Sequence, residues 1–154
     1  MVALEAAMTV ETAELTDLAP RDAARFLLSR ADEEWLSELQ LSLDRQRART
    51  GFDRILAVWN LNQSDAAGLF GVSRQAIAKW RTRGVPAGRI EAVADLSAAT
   101  DLLVRHLKRD RIPAVVRRGS AQLGGQSLLD LVGQGDTREV LATCRAMFRF
   151  GDAH

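Results

Sequence analysis

The sequence predicts an all-α fold: a helix-turn-helix bundle preceded by a helical extension and followed by a small helical domain. Three observations carry this expectation. Apolar residues recur at intervals of three and four along most of the 154 residues. Prolines number only three and tyrosine is absent, so β-rich architecture has little support, while 47% hydrophobic content argues against wholesale disorder. The run from Asn60 to Arg81 then reads as two short helices joined by a glycine turn.

Taken in order, residues 1–17 are alanine- and threonine-rich, acidic and without a sustained apolar stripe, and are expected to be a mobile tail. Residues 18–50 form the helical extension. Its first helix is expected from about Pro20 to Arg30, since proline in the first turn forfeits no hydrogen bond, with Ala23, Phe26 and Leu27 on one side. A second helix is expected from about Asp32 to Arg49, with Trp35, Leu36, Leu39 and Leu43 at helical spacing. Asp32, Glu33 and Glu34 open it and Arg45, Arg47 and Arg49 close it, the polarity a helix dipole favours. Gly51 is expected to break the pattern, with a new helix from Phe52 bearing Ile55, Leu56, Val58 and Trp59 on its apolar side. Trp35, Trp59 and Trp80 are all expected in the core.

Residues 51–86 enclose the helix pair. Asn62 is placed to cap the first helix by accepting the Ser64 or Asp65 amide, and Ala66, Leu69 and Phe70 supply its inward side. Gly71 stands where the chain must take a positive φ, Val72 plugs the corner and Ser73 caps the second helix. Ile77 and Trp80, three apart, should pack on the first helix, leaving Ser73, Arg74, Gln75, Ala78, Lys79 and Arg81 outward. Those types suit a groove: Gln75 matches adenine N6/N7, and Arg74 matches guanine O6/N7 or a phosphate. Lys79, Arg81 and Arg83 lie further along and suit phosphates, while Asn62 and Gln63 sit where a helix amino terminus meets backbone oxygens. A glycine turn with Ile77 and Trp80 also describes an ordinary helical hairpin, so a scaffold without DNA contact stands as an alternative.

Residues 87–110 are expected to form a connecting helix, from about Ala87 to Lys108, with Ile90, Val93, Ala94, Leu96, Leu102, Leu103 and Leu107 at near-helical intervals. Residues 111–154 hold shorter elements: a turn or two over residues 114–118 stopped by Gly119, then a turn at Leu123-Gly124-Gly125-Gln126. Ser127 is expected to cap Leu128–Val132 with Asp130 supporting it, and Asp136 with Glu139 to open a last helix carrying Val140, Leu141, Cys144, Met147 and Phe148.

Charge is uneven beneath a net +1. Residues 1–49 carry −4, residues 50–90 carry +4 and the remainder +1. The basic segment coincides with the helix pair, and the acidic extension would repel DNA. One cysteine, Cys144, permits no internal disulfide, and with only His106 and His154 beside it no metal cluster is legible. His106 is expected on the surface and Cys144 as a buried, inert thiol. The Gly-Gly-Gln and Gly-Gln-Gly runs lack the Lys-Ser/Thr of a phosphate loop. The expectation is a cytoplasmic protein that is not an enzyme, without cofactor, metal or membrane segment.

Leu61 to Trp80 resembles the Xre/Cro-repressor class of helix-turn-helix. Further on, Ile112-Pro113-Ala114 and Leu123-Gly124-Gly125-Gln126-Ser127-Leu128-Leu129-Asp130-Leu131, followed by Gly135 and Val140-Leu141, resemble the carboxy-terminal region of the Xre/MbcA/ParS antitoxin family. The resemblance spans about residues 52–150. It implies an antitoxin that neutralises a RES-domain toxin, an enzyme consuming NAD, and that represses its own operon by binding operator DNA as a homodimer within a larger toxin–antitoxin complex. By the same resemblance residues 111–154 are the toxin-binding domain, with Arg138, Arg145, Phe148, Arg149 and Phe150 as toxin contacts. Leu128 departs from the proline common in the motif, and the acidic extension is not needed by a minimal antitoxin. The alternative is a stand-alone Xre-family transcriptional regulator that uses its last domain to oligomerise.

Overall fold

The computed structural model describes residues 15–149, all of whose regular elements are helical. The chain divides into two compact units, Met1–Ser42 and Leu43–His154. In chain order the helices are α1 (Pro20–Arg30), α2 (Glu33–Trp59), α3 (Gln63–Phe70), α4 (Arg74–Arg83), α5 (Ile90–His106), α6 (Ile112–Arg117), α7 (Leu128–Gly133) and α8 (Thr137–Phe148). Single 3-10 turns at Ala87–Arg89, Arg109–Arg111 and Ala121–Leu123 connect the later ones. The expected tail lies outside the described residues up to position 14; positions 15–17 form a helical turn.

In the first unit α1 begins at Pro20, as its proline dictates, and no residue of it is buried. Asp32 caps α2 by accepting the Trp35 amide at 2.8 Å. The expected break at Gly51 does not occur. One helix runs from Glu33 to Trp59, because Ala48, Phe52, Ile55 and Leu56 bury on both sides of the glycine and outweigh its cost of about 1 kcal/mol. A Cβ at position 51 would meet Ser97 Oγ at 2.4 Å, so the glycine admits α5 close to the backbone of α2. Trp35 corrects a second expectation: it is 43% exposed, since burial along α2 begins only at Ala48.

The core belongs to the second unit. Phe52, Phe70 and Trp80 form an edge-to-face triad with ring centroids 5.5–5.7 Å apart, clamping α3 and α4 onto α2. Trp59, fully buried, donates its indole N–H to Thr100 Oγ1 at 3.0 Å, and that hydroxyl donates to the Leu96 carbonyl at 2.7 Å. The segment expected to be a connector is a packing centre: α5 buries Val93, Leu96, Ala99 and Leu103, and packs along α8, which buries Val140 and Cys144. It starts at Ile90 after a 3-10 turn, and Ala94 is exposed.

The glycine-rich segment after α6 folds tightly. The Ser120 N–H donates to the Gln126 carbonyl and the Ser120 carbonyl accepts the Gly125 N–H, Gly124 and Gly125 take positive φ, and a Cβ on Gly119 would strike the Gly125 carbonyl oxygen at 2.5 Å. Ser127 and Asp130 then form a reciprocal capping box on α7. Asp136 accepts the Glu139 amide to open α8. Arg117 ties α6 to the end of α2, donating to the carbonyls of Trp59, Asn60 and Pro113 at 2.8–2.9 Å. The Trp59 and Asn60 carbonyls sit where α2 ends and Asn60 takes φ 54°.

Candidate nucleic-acid interface and partner-binding helix

Local chemistry sets the geometry of α3 and α4. Asn62 Oδ1 accepts the Asp65 amide at 2.8 Å while Asp65 Oδ2 accepts the Asn62 amide at 3.1 Å, a closed capping box. Gly71, at φ 63°, ends α3 in the left-handed conformation and returns its N–H to the Ala67 carbonyl. Ser73 Oγ then accepts the Ala76 amide at 3.0 Å to start α4. Ile77 and Trp80 are buried, and Ala67 joins Ala66 and Phe70 on the inward side of α3, where Leu69 is only half-buried.

At about 100° per residue, the burial of Ile77 and Trp80 turns Gln75, Ala78, Lys79 and Thr82 to the opposite side of α4, with Arg74 and Arg83 at its two edges. Arg74, Gln75, Lys79, Thr82 and Arg83 are exposed. Thr82, at the centre of that face, escaped sequence reasoning because its hydroxyl gives no charge signal; it donates to the Ala78 carbonyl at 3.0 Å. Arg81 lies lateral, its Nε paired with Asp53 Oδ1 of α2 at 2.9 Å. Ser73 Oγ and Asn62 Oδ1 are engaged in caps, and Gln63 is half-buried, so the donors least committed within the fold are those of Arg74, Gln75, Lys79 and Arg83. The Asp65 carboxylate at the start of α3 weakens that helix end as a phosphate site.

Two further arginines join this end of the molecule and were not singled out by spacing. Arg49 donates to the Thr82 carbonyl at 3.4 Å, near the carboxy terminus of α4, and the Arg89 guanidinium stands 5.9 Å from the Trp80 ring centroid. With Arg83, they carry positive charge beyond the outward polar face of α4.

Arg138 and Arg145 of α8 and Arg149, its carboxy-terminal cap, fall on one stripe, seven and four residues apart, away from the buried Val140 and Cys144. Arg138 is paired with Glu91 of α5; this guanidinium holds the Glu91 carboxyl below its usual range, and Glu91 in turn raises Arg138. Arg145 lines a shallow groove of about 210 Å³ with Asp101, Leu102, Arg105 and Leu141. Phe148 is half-buried and stacks on His106 at 4.4 Å, with Met147 beside it 43% exposed. The stack accounts for both rings at the ends of α5 and α8. Phe150 lies outside the described residues.

Among the described residues no group of His, Cys, Asp or Glu is arranged to hold a metal, and no helix is long and apolar enough to cross a membrane. Cys144 is buried, which pushes its thiol up to about 11. A thiol held neutral in this way is neither a nucleophile nor a ligand. Asp130 is held below the usual carboxylate range by the Ser127 backbone N–H first and its hydroxyl second, as a capping residue should be.

No protein-family profile and no curated protein sequence matches the chain. Among solved structures, a chain of the crystal structure of the M. tuberculosis MbcT–MbcA toxin–antitoxin complex is similar, with a TM-score of 0.53 at 22% identity. The similarity covers 64% of this chain and 91% of that one, and at this identity what the two share is an all-helical fold.

Proposed function

We propose that this chain is the antitoxin of a toxin–antitoxin pair, binding its toxin directly and repressing its own operon. The carrying observation is the combination in one fold of an outward polar face on α4 with the capped Gly-Gly-Gln-Ser-Leu-Leu-Asp-Leu segment, in a chain whose fold resembles one from a toxin–antitoxin complex. Base recognition falls to Arg74 and Gln75, and phosphate contacts to Lys79 and Arg83, in a dimer spanning two half-sites one helical turn apart. Arg81 serves first as a brace between α4 and α2. Asn62, Gln63 and Ser73, at the capped starts of α3 and α4, are assigned the lesser backbone contacts, since the Asp65 carboxylate opposes a phosphate at the first of these ends.

Neutralisation is assigned to the stripe of Arg138, Arg145 and Arg149 with Phe148 and Phe150, directed at a RES-domain toxin that consumes NAD. This assignment follows the family resemblance of residues 111–154, and the exposed arginine stripe supports it. The action is occlusion by binding, without catalysis by this chain.

The test is coexpression. The gene adjoining this one is induced alone and with this chain, while cellular NAD and growth are followed. The expected result is NAD loss and arrest from the neighbour alone, both reversed by coexpression, with the two proteins purifying together. Unchanged NAD, or a neighbour that does not bind, removes the antitoxin reading; a retained mobility shift on upstream DNA would then favour a stand-alone regulator.

A further inference from the structure

Between Leu15 and Ser42 no residue is buried, although the segment is rich in large apolar side chains. Leu18 is 43% exposed, Leu28 66%, Trp35 43% and Leu41 55%, and Phe26, Leu27, Leu36 and Leu39 are only half-buried. The exposed large hydrophobics of the described residues are concentrated here; Leu43 and Met147 complete the set. An eleven-residue helix such as α1 is marginal in water alone, and an apolar stripe is kept only where it buries against another element. Apolar side chains left uncovered together in one segment call for a covering partner.

Charge identifies the occupant. Outside its apolar stripe α1 carries Arg21 and Arg25 against Asp22, whereas residues 32–38 carry Asp32, Glu33, Glu34 and Glu38 and no base. The segment is therefore bipolar in charge, and two copies of it are complementary. A two-fold axis brings the basic helix of one copy to the acidic turns of another, twice over, because an isologous contact repeats each pairing. Nucleic acid is disfavoured by the acidic balance of the segment. We infer that residues 15–42 are the seam through which two copies of this chain associate. The inference rests on the repressor reading above, which needs two α4 helices on one operator, and adds where the second copy is held.

The experiment uses the full chain and measures mass by light scattering and sedimentation across a concentration series. Wild type is expected at twice the chain mass at micromolar concentration. Leu28→Glu/Trp35→Glu, two exposed positions, is expected to raise the dimer dissociation constant about thirtyfold or more, with helicity unchanged and an unfolding midpoint that matches wild type at dilutions where both are monomeric. Arg21→Glu/Arg25→Glu and Glu33→Lys/Glu34→Lys are each expected to weaken self-association, and an equimolar mixture of the two to restore it. A monomeric wild type overturns the seam while leaving toxin capture to stand or fall separately. A Leu28→Glu/Trp35→Glu chain that stays dimeric and still shifts operator DNA also overturns it, and leaves the repressor reading intact. Loss of toxin capture with an unchanged dimer would make the surface a toxin seat and equally overturn the proposal.

Discussion

At the scale of single residues, the least replaceable polar atom in the core is Thr100 Oγ1. It accepts the Trp59 indole N–H and donates to the Leu96 carbonyl, so one hydroxyl satisfies a buried donor 41 residues away while returning its proton to its own helix. Thr100→Val keeps the shape but leaves the Trp59 N–H buried without an acceptor. The expected cost is about 1–3 kcal/mol, read as a lower urea midpoint with unchanged slope, together with a shifted tryptophan emission. The adjacent Ser97→Ala, whose hydroxyl makes no comparable link, serves as the control and is expected to change little. The Trp59–Thr100 pairing was not legible in the sequence, which marks both residues only as inward-facing. Trp35 and Trp59 carry the same spacing signal on the same helix, yet one is exposed and the other buried. Periodicity reports which side of a helix is apolar; it does not report whether anything covers that side.

At the scale of elements, legibility follows the range of the interaction. The ends of α1, α3, α4, α7 and α8 were readable because Pro20, Asn62, Gly71, Ser73, Ser127 and Asp136 act within a turn or so of themselves. The passage of α2 through Gly51 was not, since its reason is the burial of Ala48, Phe52, Ile55 and Leu56 against other helices. The same holds for the candidate site: the outward face of α4 could be drawn from spacing, but the Arg81–Asp53 and Arg138–Glu91 pairs join residues 28 and 47 positions apart. The capping box of α7 supplies a prediction at this scale. The Ser127 backbone N–H and hydroxyl hold its Asp130 carboxyl below the ordinary carboxylate range, so its contribution to stability is full above that range and is lost as pH falls through the lower folded value. Asp130→Asn is therefore expected to flatten the fall in stability below about pH 4, measured by denaturant titration at a series of pH values. Ser127→Ala, which removes the reciprocal hydroxyl, is expected to cost about 1 kcal/mol at neutral pH.

At the scale of the whole molecule, net charge of +1 conceals −4 over residues 1–49 and +4 over residues 50–90. The local excess, not the total, governs an encounter with a polyanion, because screening confines each charge to about 8–10 Å at physiological salt. Within the basic segment the cations are not equivalent. Arg54 is paired with Asp101 and Arg81 with Asp53, whereas Lys79 stands exposed on the side of α4 opposite Ile77 and Trp80 and Arg74 stands exposed at the edge of that side. Under the repressor proposal, these classes separate in a salt series. Lys79→Ala is expected to lower the slope of log K against log[salt] by about one per bound half-site, with little change in sequence preference. Arg74→Ala and Gln75→Ala are expected to cost about 1–3 kcal/mol each on the operator and to narrow the gap to unrelated DNA. Arg81→Gln should act differently, lowering stability slightly through loss of the Asp53 brace while changing the slope less than Lys79→Ala. The discriminating measurement is anisotropy of labelled operator and scrambled duplex from 50 to 300 mM salt. If Arg81→Gln lowers the slope as much as Lys79→Ala, the arginine leaves Asp53 for a phosphate on binding, and the division of labour drawn from the free protein is wrong.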